Sequence, residues 1–431
     1  PNSRNKRLLF DRDELAAQIS EIVREPFTGQ TFFGYDRTGE HEVFLNWLAE
    51  EIRQKEIDAL IIAGDVFDVS NPSAASQSMY YQFIYRVTAE NPYLQIVIVA
   101  GNHDSAARLE APLPLLQAMR TEVRGVVRKL EGGEIDYDHL IVELKNRKGE
   151  VELLCMAVPF LRQGDYPAPE EGHDTYIAGI NRMYRQLYDF ADARRQPGEA
   201  LVAMGHLHAT GAELSDDDRS ERIIMGGLES VSSDTFDEGL VYTALGHIHK
   251  AQRIGGRENL RYSGSPLPMS FSETNYRHQV VAVTVENGCL SDVEPLSVPL
   301  FAALHRIPEQ PASPEEVVEQ LAGLPVANQE EGDEPARWPY VEVRVLLTEP
   351  DPGFRHRVEE ALADKAVRLT SIVPSYPKRE EADTVRPLSY NDLQRIAPLD
   401  MLKHAFTSKY GGELPEDIES LFNDVMREVS L

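Results

Sequence analysis

Cysteine is scarce. The 431 residues contain two, Cys155 and Cys289, which excludes a disulfide scaffold and a cysteine zinc cluster and fits a reducing cytoplasm. Long apolar runs are missing too. No stretch of about 20 apolar residues occurs, so no transmembrane helix is expected. The basic N-terminus leads into no apolar h-region, so no signal peptide is read and a cytoplasmic location is expected. Positive charge is also short, with 43 Lys and Arg against 71 Asp and Glu and a net charge of -28. Bulk attraction cannot hold such a chain on nucleic acid; a local site or a bound metal would have to supply it. Apolar residues, by contrast, make up 42%, enough to exclude a wholly disordered chain. At about 150 residues per domain the length suggests two or three domains.

Four apolar runs stand out, each ending in glycine and a polar residue of the kind that binds metals. Residues 59–63 lead into Gly64-Asp65, and residues 96–100 into Gly101-Asn102-His103-Asp104. Residues 200–204 lead into Gly205-His206-Leu207-His208, and residues 241–245 into Gly246-His247-Ile248-His249. Short apolar runs bounded by glycine read as strands buried on both faces. The set Val43, Phe44, Trp47, Leu48 and Ile52 recurs at helical spacing between them. This is the pattern of a layered α/β or α+β domain, with polar strand ends converging on one rim. A strand is read over residues 279–285, and a second sheet packed on the first is expected.

Of the 12 histidines, His103, His206, His208, His247 and His249 all fall on these strand-end turns. Neutral imidazole suits manganese, iron or zinc, and a carboxylate such as Asp65 can bridge two ions. Glycine before each group permits the tight turn that aims a side chain at a common point.

These motifs, in their order, resemble those of the calcineurin-like metallophosphoesterases. The segments at 63–68, 101–105 and 246–250, with Tyr262-Ser-Gly-Ser-Pro-Leu-Pro-Met-Ser-Phe271, are similar to the nuclease subunits of bacterial SbcCD complexes. The resemblance implies an α+β fold: a sandwich of two β-sheets flanked by helices, with a small α+β capping domain and C-terminal helices. It implies metal-dependent DNA exonuclease and hairpin endonuclease activity in repair and recombination, with the SbcC ATPase subunit as partner, DNA ends and hairpins as substrate, and a homodimer. Asp65 would bridge two manganese ions. Asn102, His206 and His247 would complete one shell, and His249 would bind the other ion. His103, oriented by Asp104, would face the scissile phosphate without ligating. His208 has no assigned role in this pattern.

The match breaks at the N-terminus. The family opens with a strand carrying Asp-x-His, two ligands of the ion held by His249, and nothing before Gly29 reads so. Asp11 and Glu14 form a potential capping box, and Ala16, Ile19, Ile22 and Val23 have helical spacing, so a helical segment through Arg24 is expected. Three explanations stay open: unrelated sequence over residues 1–28, a divergence that weakens one metal site, or a strand at residues 6–10 with Asp11 or Asp13 as substitute ligands. With Asp-x-His absent, about one manganese per chain is expected rather than the family's two. His41 is expected to be phosphate-facing or on the surface. Arg37, Arg108, Lys250 and Arg253 sit beside the motifs and could contact a DNA backbone.

The domain boundaries are expected at 1–298 for the nuclease domain, 299–375 for an acidic connector and cap, and 376–431 for a linker and C-terminal helices. Between Arg306 and Arg337 there are eight acids and no Lys or Arg, with one short helix near residues 314–322. A strand at 340–346, a helix at 354–363 and a strand at 367–373 make a small α+β unit. The stripe of Ile418, Leu421, Phe422, Val425, Met426 and Val429 is expected to dock on the ATPase subunit.

Overall fold

Each of the four apolar runs is a strand covered on both faces. The structure, a computed structural model, describes residues 16–22, 31–167, 176–213, 230–327 and 335–377, and single residues beyond 398. In chain order the first part comprises β1 (Ala16–Ile22), the hairpin β2 (Thr31–Phe32) and β3 (Tyr35–Asp36), and α1 (Thr38–Lys55). It continues with β4 (Ala59–Ala63), α2 (Ala74–Glu90), β5 (Gln95–Val99), α3 (Ala106–Glu110), α4 (Leu113–Gln117) and β6 (Thr121–Arg124). The second part runs through β7 (Ile141–Lys145), β8 (Val151–Ala157), α5 (Tyr176–Arg194), β9 (Ala200–His206), β10 (Leu240–Gly246), β11 (Gln252–Arg253) and β12 (Leu260–Tyr262). The pair β13 (Gln279–Glu286) and β14 (Cys289–Ser297) follows.

Two six-stranded sheets result, ordered β14-β13-β1-β4-β5-β6 and β11-β12-β10-β9-β8-β7. Strands β1, β4, β5 and β6 run parallel, as do β8, β9, β10 and β12, so their carboxyl ends share a rim. Strand alternation sends Leu60 and Ile62 toward the core under α1 and α2, and Ile61 and Ala63 toward the opposing sheet. On the second sheet Leu201 and Ala203 face α5, while Val202 and Met204 face inward. The layers are thus helix, sheet, sheet, helix. Full burial of Leu48 and Ile52 on α1 stabilises the outer layer by roughly 1.5–3 kcal/mol per side chain.

The remainder comprises β15 (Leu304–Ala312), α6 (Pro314–Ala322), β16 (Tyr340–Leu346), α7 (Phe354–Leu362) and β17 (Arg368–Ser375). They build a three-stranded parallel sheet, β15-β16-β17, around Val317, Val343 and Val358. The chain divides into two compact units, Pro1–Ser375 and Tyr376–Leu431. In the second, Lys403 Nζ donates to Glu419 Oε1 at 2.7 Å; the apolar stripe there lies outside the described residues except for Phe422. No helix among the described residues is long and apolar enough to cross a membrane.

Four expectations need correction. Residues 16–22 form no helix: β1 lies in the middle of the first sheet, antiparallel to β13 and parallel to β4. The first strand is therefore present, and ladders on both sides override a helical spacing. The proposed strand at residues 6–10 and the Asp11–Glu14 box lie outside the described residues. The start of the acidic connector is strand β15, because charge pattern is blind to backbone pairing; its Pro308 and Pro311 sit on a sheet edge, where proline is tolerated. His41 is buried in α1 rather than on the surface. Arg37, 1% exposed, binds Glu40 Oε2 through Nη2 (2.9 Å) and the Pro268 carbonyl through Nη1 (2.8 Å), so it faces no external phosphate.

Candidate metal centre

The rim brings Asp65, Asn102, His103, His206 and His247 together. Asp65 follows β4 in a left-handed backbone (φ 47°), and His247 follows β10 with φ 106°. Residues with a Cβ seldom hold such angles, and they persist where the surroundings over-determine them. Glycine is required between the loops. A Cβ on Gly101 would strike the Asp65 carboxylate, and one on Gly246 would strike the Ala63 carbonyl oxygen.

His206 fixes the logic of the cluster. Its Nδ1 lies 2.8 Å from the Ala63 carbonyl, which can only accept, so Nδ1 carries the hydrogen. The Nε2 lone pair then faces Asn102 Oδ1 at 2.8 Å and Asp65 Oδ2 at 3.2 Å. Asn102 Oδ1 also lies 3.2 Å from His247 Nδ1. Turning the amide over would offer its NH2 to the rings but would leave the Asp65 oxygen against the His206 lone pair. A cation among these atoms satisfies the set without a second proton on buried His206. Among the described residues, no cluster of three His, Cys, Asp or Glu forms a metal cage unaided; the Asn102 amide oxygen is part of this one.

His103 stands beside the cluster. Its backbone N–H donates to Asp65 Oδ1 (3.0 Å), and its ring Nδ1 donates to the Asp68 carbonyl (3.0 Å). Asp104 does not orient that ring, as the sequence suggested. Its carboxylate accepts from the N–H groups of Val66, Phe67 and Gly101 at 2.9–3.0 Å, tying the β4 and β5 loops together. Burial, then the nearby Asp65 charge, pushes Asp104 up to about 6 against the pull of those three amides.

His249 is buried a little apart, and its Nδ1 donates to Glu273 Oε1 at 2.5 Å. Glu273 is fully buried and also accepts from Met269 N–H at 2.9 Å. Such a carboxylate fixes the tautomer, with the hydrogen on Nδ1 and the lone pair on Nε2. Sequence reasoning missed Glu273, although it ends a turn just past the segment that narrowed the resemblance. His208 is half-buried, with its ring centroid 6.5 Å from that of His247.

Acceptor side chains at the carboxyl ends of strands from two facing sheets, with an imidazole beside them, are the hallmark of a metal-dependent phosphoesterase. Similarity to known proteins agrees. The calcineurin-like phosphoesterase family matches residues 28–251, and the type 5 capsule protein repressor C-terminal domain matches residues 300–410. The chain is 33% identical over 386 residues to the SbcD subunit of nuclease SbcCD from Rhodobacter capsulatus, covering 88% of this chain and 92% of the relative. Against the SbcD subunit of the Escherichia coli strain K12 nuclease it is 33% identical over 404 residues, covering 88% and 94%. The chain belongs to the SbcD family, the nuclease branch of the calcineurin-like phosphoesterases, and its cofactor is a divalent metal ion.

Proposed function

We propose that the chain is the nuclease subunit of an SbcCD complex, cleaving DNA ends and hairpins in repair and recombination with the SbcC ATPase, as a homodimer in the cytoplasm. The observation that carries the chemistry is the convergence of Asp65, Asn102 and the His206 lone pair on one point. Manganese is the cation proposed. Asp65, Asn102, His206 and His247 would hold one ion; His249 and Asp65, without the Asp-x-His ligands, would hold a second only weakly. When bound, such ions neutralise the phosphate and supply a hydroxide-strength nucleophile.

The chain's own residues do the rest. His103 donates Nδ1–H to the Asp68 carbonyl, so Nε2 is the nitrogen turned to the leaving oxygen, and it delivers a proton there only after taking one up to form the imidazolium. Asp104 keeps the two loops in register, which holds His103 and Asp65 at a constant separation. Glu273 holds His249 in one tautomer.

The absence of Asp-x-His from the first strand favours a second reading, a scaffold subunit with impaired nuclease activity. The two are separated by elemental analysis and DNA cleavage on manganese-loaded protein. The expected result is about one manganese per chain with measurable cleavage. Two ions per chain would contradict the count and assign ligands to the sequence before Thr31. One ion with no cleavage would support the scaffold.

A further inference from the structure

Lys250, the residue after His249, lines a groove of about 810 Å³ whose lining contains four cationic side chains and no acid: Lys250, Arg253, Arg261 and Arg277. The chain as a whole carries -28, so four cations on one concave surface depart sharply from its average. They come from separate elements. Lys250 follows the β10 turn, Arg253 and Arg261 lie on β11 and β12, and Arg277 precedes β13. The fold assembles the patch, and no run of basic residues announces it.

The charges are only partly neutralised. Lys250 pairs with Glu213, while Arg253 and Arg261 share Glu258. Both glutamates are exposed, at 71% and 51%, and exposed pairs such as Arg253–Glu258 contribute little to stability. An incoming phosphate could replace the glutamates at Lys250 and Arg253 at small cost, whereas Arg261 is largely buried and its Nε also donates to the Glu258 carbonyl at 2.8 Å. Arg277 is exposed and donates from Nε to Ser297 Oγ at 3.0 Å, with no ion pair among the described residues. The half-buried Tyr276 ring lines the same groove, with Lys250 Nζ 5.7 Å from its centroid. A cationic groove with an aromatic face suits a single nucleic-acid strand, its phosphates on the cations and a base against the Tyr276 ring.

We propose that the groove of Lys250, Arg253, Arg261 and Arg277 carries a single strand of the substrate past the metal centre, gripping its phosphates without reading its sequence. The proposal rests on the nuclease reading and extends it to a strand path. It accounts for how an acidic chain holds a polyanion beyond the metal centre itself.

The test uses the full chain and a fluorescein-labelled single-stranded oligonucleotide in EDTA, so that neither hydrolysis nor a bound ion contributes. The variant is Arg253→Gln with Arg277→Gln, both exposed positions. Losing two phosphate contacts should weaken binding on the order of ten-fold at low salt and lower the slope of log K against log salt by about 1.4. Arg253→Lys with Arg277→Lys should keep both affinity and slope. Unchanged binding by the Gln pair would overturn the proposal, as would equal loss in the Lys pair. Failure of the nuclease reading is a separate result: wild-type protein with manganese would leave DNA intact.

Discussion

His249, a ligand in the proposed metal centre, illustrates how a single side chain is held. Its ring is sealed at 3% exposure, and its Nδ1–H is committed to Glu273, itself fully buried. Removing that charge while keeping the shape should loosen the ring and lower the basicity of Nε2. The His249 position lacks the Asp-x-His ligands and would bind manganese only weakly, so Glu273→Gln is expected to lower that weak affinity by roughly a further 10–100-fold, the usual scale for such supporting carboxylates, read at manganese in excess of one ion per chain, while the ion at Asp65, Asn102, His206 and His247 stays. Titration of manganese against each variant checks this, and equal loss at both positions would contradict it. The Gly-ligand turns were legible in the sequence because strand, glycine and polar residue are contiguous. Glu273 was not, since it lies 24 positions beyond His249 in the chain. The carbonyls of Ala63 and Asp68, which fix two tautomers, leave no trace in side-chain identity.

Among the elements, β1 was hidden from the sequence. Its apolar residues fall at helical intervals, and neither face of Ala16–Ile22 is uniformly apolar. What makes it a strand is pairing on both edges, a tertiary effect that propensity does not report. At Ser20 the backbone is paired to Ala282 on one side and Leu60 on the other, so its N–H belongs to a ladder. Ser20→Pro should therefore cost about 3 kcal/mol or more, measured as the urea midpoint at constant slope. A cost near zero would show that the segment does not sit in the sheet. Helix α3 offers a second test, of electrostatics. Its Glu110 accepts from the N–H groups of Gly125 and Val126 at 2.8 and 3.1 Å, close to His139 and Arg128. Burial opposes its ionisation, but the His139 ring 3.7 Å away, the hydrogen bonds from the two amides and the Arg128 charge outweigh it. They draw the group from 4.5 down to about 2. A depressed carboxylate stabilises the fold fully above its ordinary value of 4.5, and that contribution disappears as pH falls through about 2. The stability gap between wild type and Glu110→Gln should narrow across this window; a gap independent of pH would contradict the assignment. The cap was largely legible, with β16 and α6 at the expected bounds, because its periodicities are regular. Strand β15 was masked by its acids and prolines.

At the scale of the molecule, two sheets of different parts of the chain are pressed together so that strand ends far apart in sequence become neighbours. His206 and Asn102 are separated by 104 residues, His247 and Asn102 by 145. The sandwich, not any local segment, creates the site, and the repeated glycine-ligand ending was the signal of it in the sequence. The net charge of -28 means that productive contact with a polyanion depends on the metal ions and on local cations. The central claim is that one face of this rim binds metal while His103 performs proton transfer without ligating. The most direct measurement compares manganese content and DNA cleavage in His103→Gln and His247→Ala. His103→Gln should keep its manganese and cleave about 100-fold more slowly, and His247→Ala should lose metal and activity together. Loss of metal in His103→Gln, or full manganese in His247→Ala, would contradict the account.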